Sequence, residues 1–123
     1  MKYLILLLLL TSCFKEELPT YTRGEFLKMA KLGDPELHVI TPGSISEALV
    51  SCSDYTPSCR YGYQVIVRKV RMIVLFYENP ADAIVAAKRI RGYYSRNWVL
   101  DEVRGEPVLE RYAIKHLKAK KAF

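Results

Sequence analysis

Residues 62–78, GYQVIVRKVRMIVLFYE, constrain the fold most strongly, because they are rich in the Val, Ile, Tyr and Phe that favour strands. As one strand they would span about 56 Å, too long for a small domain. The expected interruption is Arg68 to Arg71, either a tight hairpin or a bulge. This stretch lacks the Gly, Asn or Asp of an ideal two-residue turn. Residues 72–77 are apolar on both faces, which predicts a central strand covered on both sides.

Helix starts are predicted by capping-box spacing at Thr22 and Glu25 and at Ser44 and Glu47, and by an N-cap at Asn79. Apolar positions spaced by three to four residues follow these starts. The predicted helices span residues 23–32, 44–50 and 79–94, with a last one from Pro107 onward. Further strands are predicted at 36–41 and 97–103, and a strand at 108–116 is the alternative to the last helix.

After the first helix, the order of elements is β-α-β-β-α-β, followed by a helix. This order predicts an α+β fold, a small ferredoxin-like (split βαβ) sandwich with flanking N- and C-terminal helices. Such a fold supports many unrelated activities, so function has to be argued from individual residues.

The N-terminus, MKYLILLLLLTSC, has a positive start, an unbroken apolar run over residues 3–10, and small polar residues before Cys13. The apolar run would rise only about 12 Å as a helix, against the ~30 Å hydrocarbon core of a bilayer. This pattern predicts a secretory signal peptide rather than a membrane span. The alternative is that residues 3–10 form a buried strand and Cys13 is a core thiol.

The end of this segment, Leu10-Thr11-Ser12-Cys13, resembles the lipobox of bacterial lipoprotein precursors. The resemblance implies that the chain is cut before Cys13 and that this cysteine carries the lipid. Residues 1–12 are then the signal peptide, residues 13–21 the lipidated cysteine and a tether, and residues 22–123 a single α+β domain with a basic C-terminal tail. A plain secreted signal is the other alternative.

The residue after the lipidated cysteine bears on sorting between membranes. In many Gram-negative lipoproteins an Asp there retains the protein in the inner membrane, whereas this chain has Phe14. If the organism is Gram-negative, the resemblance therefore favours a lipid anchor in the outer membrane over one in the inner membrane, with the domain facing the periplasm. No family is recognised for the domain itself.

Cys52 and Cys59 are the two cysteines that remain, and outside the cytoplasm the expected state of such a pair is a disulfide. Their spacing is typical neither of a zinc site nor of a redox pair. The bridge would fix the shape of a loop that carries Tyr55 and precedes Tyr61. We expect these two tyrosines to be exposed and able to stack on sugar rings or peptide.

The other aromatic residues, Tyr63, Tyr94 and Trp98, are predicted to belong to the core. Basic residues recur in two short stretches and near the C-terminus, in a chain with a net charge of +6. The candidate binding residues in the two stretches are Arg68, Lys69, Arg71, Lys88, Arg89 and Arg91.

If the basic faces coincide, they suit anionic lipid headgroups, lipopolysaccharide or an anionic wall polymer. An ordinary solvated surface is the alternative. Nucleic acid is not an expected partner of an exported lipoprotein.

No catalytic motif, metal site or cofactor site is predicted. His38 and His116 are expected to be structural. Asp101 and Glu102 are adjacent, and adjacent strand residues point to opposite faces. The favoured function is a small membrane-anchored binding or structural module of the cell envelope, whose partner is envelope protein, peptidoglycan or anionic lipid. Alternatives are an envelope enzyme or enzyme-inhibiting accessory and, if the N-terminus is no signal, a cytosolic nucleic-acid-binding protein.

Overall fold

The computed structural model describes residues 18–40 and 50–123, which form a mixed α+β domain. The lipobox, most of the tether and nearly all of the predicted helix 44–50 lie outside these ranges, and Val50 belongs to no helix or strand. The helices are α1 (Arg23–Gly33), α2 (Pro80–Ile90) and α3 (Pro107–His116). The strands are β1 (His38–Val39), β2 (Tyr61–Val67), β3 (Val70–Phe76), β4 (Tyr93–Ser95), β5 (Trp98–Asp101) and β6 (Lys120–Lys121).

The six strands form one sheet in the order β1-β2-β3-β5-β4-β6, and every neighbouring pair is antiparallel. The predicted α+β class is therefore confirmed. None of the helices in the described part of the chain is long and apolar enough to cross a membrane.

The long β-prone stretch is a hairpin and not a bulged strand, since Val67 pairs with Val70 across a two-residue turn. Arg68 and Lys69 form the turn with positive φ angles of 47° and 70°. Such angles favour Asn or Gly, so the burial of the flanking strands outweighs the preference of the turn residues. The turn is also held from outside, because the Arg68 backbone N–H donates to Asp34 Oδ2 at 2.8 Å.

The second helix ends earlier than predicted. Asn79 caps its first turn, as expected, but the helix ends at Ile90 and Arg91 adopts a left-handed conformation. The chain then reverses, and Tyr93–Ser95 pairs with β5. The prediction of helix up to Tyr94 was wrong because the spacing of apolar residues there fits a helix as well as it fits a turn followed by a short strand.

The last helix is confirmed, and the alternative strand at 108–116 is wrong. The lysine-rich C-terminus is not the free tail that was predicted. Lys120–Lys121 pairs with β4 as the short edge strand β6, and the Ala122 backbone N–H donates to the Gly92 carbonyl.

Two crossovers give the sheet its layers. Strands β3 and β4 are parallel to each other, are joined by α2 and enclose β5, and strands β5 and β6 are likewise joined by α3 and enclose β4. The side chains of α2 pack on one face of the sheet and those of α1 and α3 on the other. A ferredoxin-like sandwich has its two helices on one face, so the layering differs from the predicted one.

We call the two sides of the sheet the aromatic face and the alanine face. The aromatic face is covered by α1 and α3, and its largest buried side chains are Phe26, Met72, Tyr93, Trp98, Leu109 and Tyr112. The alanine face is covered by α2 and the loop that contains Cys59. Its buried residues are Cys59, Leu75, Tyr77, Ala83, Ala86, Ala87 and Val99.

Candidate binding surfaces

The strand register gives the sheet two distinct ends. The turn between β2 and β3, the end of α2, the end of β5 and the C-terminus lie at one end, which we call the basic end. The turn between β4 and β5, the start of α2 and residues 18–21 lie at the other, which we call the entry end. The six steps along β2 from Tyr61 to Val67 place the turn between β2 and β3 about 20 Å from the entry end, while the end of α2 and Lys121 lie at intermediate levels of the sheet.

The basic end collects both of the basic stretches singled out in the sequence. Arg68 and Lys69 form the turn between β2 and β3, and Arg71 is the second residue of β3. Lys88, Arg89 and Arg91 belong to the last turn and cap of α2, which returns to the same end because it is antiparallel to β3. All six of these side chains are exposed.

Two further cations, Arg104 and Lys121, join this group; Arg104 was not considered, and Lys121 was noted only as part of the basic C-terminus. Both lie against the ring of Phe123, with the Arg104 guanidinium carbon 5.6 Å and the Lys121 Nζ 5.8 Å from the ring centroid. Their placement beside Phe123 could not be predicted from the sequence, because only the pairing of β6 with β4 brings the C-terminus to this part of the sheet.

Two of the arginines at the basic end already have partners within the protein. The Arg71 guanidinium donates to Glu102 Oε2 at 3.0 Å, and both side chains remain about half exposed. An exposed pair of this kind contributes at most about 1 kcal/mol and can exchange its partner readily. The Arg68 guanidinium lies 5.9 Å from the Tyr112 ring centroid.

The predicted disulfide joins Cys52 and Cys59, with a Cα–Cα distance of 4.8 Å. Two tyrosine hydroxyls hold the bridged loop to the sheet. Tyr55 donates to Asp101 Oδ2 at 2.6 Å, and Tyr77 donates to the Pro57 carbonyl at 2.6 Å. Burial, followed by the hydrogen bond to Asp101, raises the pKa of Tyr55 well above its usual value. The hydroxyl of Tyr55 is therefore used to position the loop.

The expected pair of exposed tyrosines is not found. Tyr55 is half-buried on the alanine face, whereas Tyr61 is half-buried on the aromatic face. Tyr61 stacks on Phe76 with ring centroids 4.6 Å apart, because these residues are directly opposite in the hairpin. Tyr63 is also half-buried, under the guanidinium of Arg23 at 5.0 Å. The two candidate tyrosines therefore cannot form one stacking platform.

Asp101 and Glu102 do not alternate across the sheet as predicted. Strand β5 ends at Asp101, and Glu102 has a left-handed φ of 63°. The first carboxylate accepts from Tyr55 and the second from Arg71, so each has a structural partner. Within residues 18–40 and 50–123, no cluster of three or more His, Cys, Asp or Glu residues could hold a metal ion.

The entry end carries a feature that the sequence did not indicate, a cavity of about 240 Å³ beside the last residues of the tether. Its apolar lining comes from Leu18, Pro19, Tyr21, Pro80, Ile84 and Tyr94. Ser95 contributes a hydroxyl, which donates to the Leu117 carbonyl. The three charged residues that line the cavity are Arg96, Lys118 and Lys120, and all three are cations.

One wall of the cavity is fixed by buried hydrogen bonds. The Tyr21 backbone N–H donates to Asn97 Oδ1 at 2.7 Å, and Trp98 Nε1 donates to the Tyr21 carbonyl at 3.0 Å. The guanidinium carbon of Arg96 lies 4.0 Å from the centroid of the Tyr21 ring. The chain that leads to the predicted lipid anchor is thus bound firmly to the domain at Tyr21.

Comparison with known proteins identifies no relative. No protein-family model, no curated protein and no solved structure matches this chain.

Proposed function

We propose that this protein is a lipid-anchored binding module of the bacterial cell envelope, attached through Cys13. In this proposal its basic end contacts an anionic polymer away from the anchoring membrane. The observation that carries the proposal is the placement of the cations relative to the tether. Both basic stretches lie at the end of the sheet opposite to the one where residues 18–21 join the domain.

The separation of the two ends bears on which anionic partner is favoured. If Cys13 lies in the bilayer, the tether draws the entry end towards the membrane, because Tyr21 is fixed there by Asn97 and Trp98. The turn between β2 and β3, with Arg68 and Lys69, then lies about 20 Å farther from the bilayer surface. A polymer with repeated carboxylate groups, such as peptidoglycan, fits this geometry better than the headgroups of the anchoring membrane do.

The anchoring membrane is proposed on the residue that follows the anchor. Phe14 stands where Asp would favour retention in the inner membrane, so we assign the anchor to the outer membrane of a Gram-negative cell, with the domain in the periplasm. The disulfide between Cys52 and Cys59 supports an exported chain, because such bonds persist mainly in oxidising compartments.

A relation to the ferredoxin-like class is proposed only for the split βαβ units. The crossover from β3 through α2 to β4 encloses β5, which is the connection that defines such a unit. The placement of α2 and α3 on opposite faces distinguishes this domain from the complete ferredoxin-like layout.

The intact mass of the chain purified from membranes tests the anchor, measured with and without reduction. We expect a chain that begins at Cys13, carries added acyl mass and gains about two daltons when its disulfide is reduced. An unmodified chain that retains Met1 would contradict the proposed anchor.

Co-sedimentation with insoluble peptidoglycan tests the basic end, using the lipoprotein in detergent. The double variant Lys88→Gln/Arg89→Gln is expected to reduce the bound fraction several-fold at low salt, because it removes two exposed cations from this end. Arg111→Gln/Lys115→Gln on α3 removes the same charge elsewhere and should bind like the wild type. Equal losses in both variants would show that net charge alone drives binding and would overturn the proposed surface. Binding to phosphatidylglycerol vesicles but not to peptidoglycan would overturn the proposed partner.

A further inference from the structure

We propose that the cavity at the entry end binds one anionic phospholipid of the anchoring membrane, with an acyl chain against its apolar wall and the phosphate beside Arg96, Lys118 and Lys120. The inference deepens the proposed function and rests on the anchor at Cys13. It assigns the entry end a specific contact with the bilayer, separate from the polymer contact assigned to the basic end.

The position of the cavity is the first argument. Leu18 and Pro19 line it, and Leu18 is only five steps along the chain from Cys13. Fully extended, that segment reaches about 17 Å. A domain anchored at Cys13 therefore holds the cavity at the bilayer surface, where phospholipid is the most abundant amphiphile.

The chemistry of the lining is the second argument. Six of the ten lining residues are apolar or aromatic, and the three charged ones are all cations. Apolar area beside a group of cations suits a molecule with a hydrocarbon chain and a negative head. A neutral sugar or a cationic peptide would leave the apolar wall or the cations without a matching group.

The construction of the rim is the third argument. Arg96 has a positive φ of 52° and Lys118 one of 54°, and both residues are exposed. Arg96 lies in the two-residue turn between β4 and β5, and its guanidinium rests on the Tyr21 ring at 4.0 Å. Lys118 directly follows Leu117, the C-cap residue of α3. Both positions are held by the backbone on rigid elements, which lowers the entropy cost of gathering cations around one phosphate.

The volume of the cavity limits how much of a lipid can enter it. A cavity of about 240 Å³ is smaller than the sites that enclose a whole drug-sized ligand. It accommodates the part of one acyl chain nearest the headgroup, while the rest of the lipid stays in the bilayer. Binding of this kind orients the domain on the membrane without extracting the lipid.

Native mass spectrometry of the lipoprotein, purified from membranes in detergent, tests the proposal. Dioleoyl phosphatidylglycerol and dioleoyl phosphatidylcholine are added in separate titrations. We expect one phosphatidylglycerol per chain, with clear preference over phosphatidylcholine. The double variant Lys118→Asn/Lys120→Gln is expected to weaken phosphatidylglycerol binding about tenfold or more, since each cation near an anionic lipid contributes appreciably. Asn is chosen at position 118 because it tolerates a positive φ.

A matched control and a second variant keep the test specific. Lys28→Gln/Lys115→Gln removes two exposed lysines outside the cavity and should bind within twofold of the wild type. Ile84→Phe fills the cavity without changing charge and should weaken binding of the lipid while the thermal unfolding midpoint shows a folded domain. Together these variants separate a built site from general attraction to negative lipid.

Several results would overturn the proposal. These are equal binding of the two lipids, equal loss in both lysine double variants, unchanged binding in Ile84→Phe, or competition by inorganic phosphate alone. A wild-type chain that retains no lipid would show that the cavity is empty or is filled by the protein's own tether. The same spectra report whether Cys13 carries acyl mass, so failure of the anchor is distinguished from failure of the lipid site.

Discussion

The two faces of the sheet are covered by different means. On the aromatic face, α1 and α3 pack large side chains against the strands, and Phe26 stacks on Trp98 with centroids 4.2 Å apart and planes 6° apart. On the alanine face, α2 contributes Ala83, Ala86 and Ala87, and it is the one helix that packs there among residues 18–40 and 50–123. The disulfide-bridged loop also packs on that face.

The difference shows how a small domain closes a two-sided sheet. Large interlocking side chains stabilise the aromatic face through buried area. Alanine lets α2 approach the sheet closely but buries little area per residue, and the covalently bridged loop adds stabilisation on the same face. Two hydroxyls, of Tyr55 and Tyr77, attach that bridged loop to the sheet.

The largest expected effect is on the aromatic face. Trp98→Ala removes the stack on Phe26 and the hydrogen bond from Nε1 to the Tyr21 carbonyl, and should lower the free energy of unfolding by about 4 kcal/mol. Urea denaturation measures this loss. Trp98→Phe keeps most of the apolar area and should lose clearly less. A loss below about 1 kcal/mol for Trp98→Ala would mean that packing is not what closes this face.

The next largest loss of stability is expected when the disulfide between Cys52 and Cys59 is removed. Cys52→Ser/Cys59→Ser is expected to lower the free energy of unfolding by about 2–3 kcal/mol, because a short loop regains its freedom in the unfolded chain. Urea denaturation of the wild type with and without reductant measures the same quantity. If neither the variant nor the reductant changes the midpoint, the loop covers its face without needing the bond.

Close approach of α2 can be tested by enlarging one alanine. Ala86 is 1% exposed, so Ala86→Leu should destabilise the domain by about 2 kcal/mol through overpacking. Its neighbour Val85 is 44% exposed, and Val85→Leu serves as the control with little change. Equal thermal midpoints for the two variants would contradict tight packing on the alanine face.

The smallest effect is confined to alkaline pH. Burial, followed by the nearby charge of Asp82, raises the pKa of Tyr77 to about 12. An unfolded tyrosine titrates near pH 10, so the unfolded chain loses this proton first. The stabilisation that the protonated Tyr77 gives to the folded state is therefore complete below pH 10 and is lost as pH rises from about 10 to 12. Comparing urea midpoints at pH 9 and 11 should show a steeper decline for the wild type than for Tyr77→Phe, and parallel declines would contradict the assignment.

Secondary structure was predictable from the sequence wherever a short stretch determines its own conformation. The capping box of Thr22 and Glu25 and the Asn79 cap were predicted from neighbouring residues and are confirmed. The interruption of the β-prone stretch at Arg68 to Arg71 was also predicted, but the sequence left a hairpin and a bulge open, and the structure has the hairpin. Strand β4 was missed because three residues carry no periodicity of their own. Strand β6 was missed because two lysines become a strand only by pairing with β4.

The candidate site was predictable in part for the same reason. The six basic residues were visible as two stretches, but their presence at one end follows from the direction of α2 and β3. The exposure expected for Tyr55 and Tyr61 was wrong because their partners, Asp101 and Phe76, are distant in the sequence or across a hairpin. The entry cavity joins residues 18–21 to α2 and β6, which no local pattern indicates.

The sheet is bordered by two very short strands, and this affects how neighbouring molecules meet. Strand β1 has two residues, and strand β6 consists of two exposed lysines. Few unpaired backbone groups are offered for strand addition, and positive charge on an edge opposes it. Copies anchored in one membrane leaflet, as proposed, would be crowded in two dimensions. Edges of this kind would keep such copies from joining into an extended sheet.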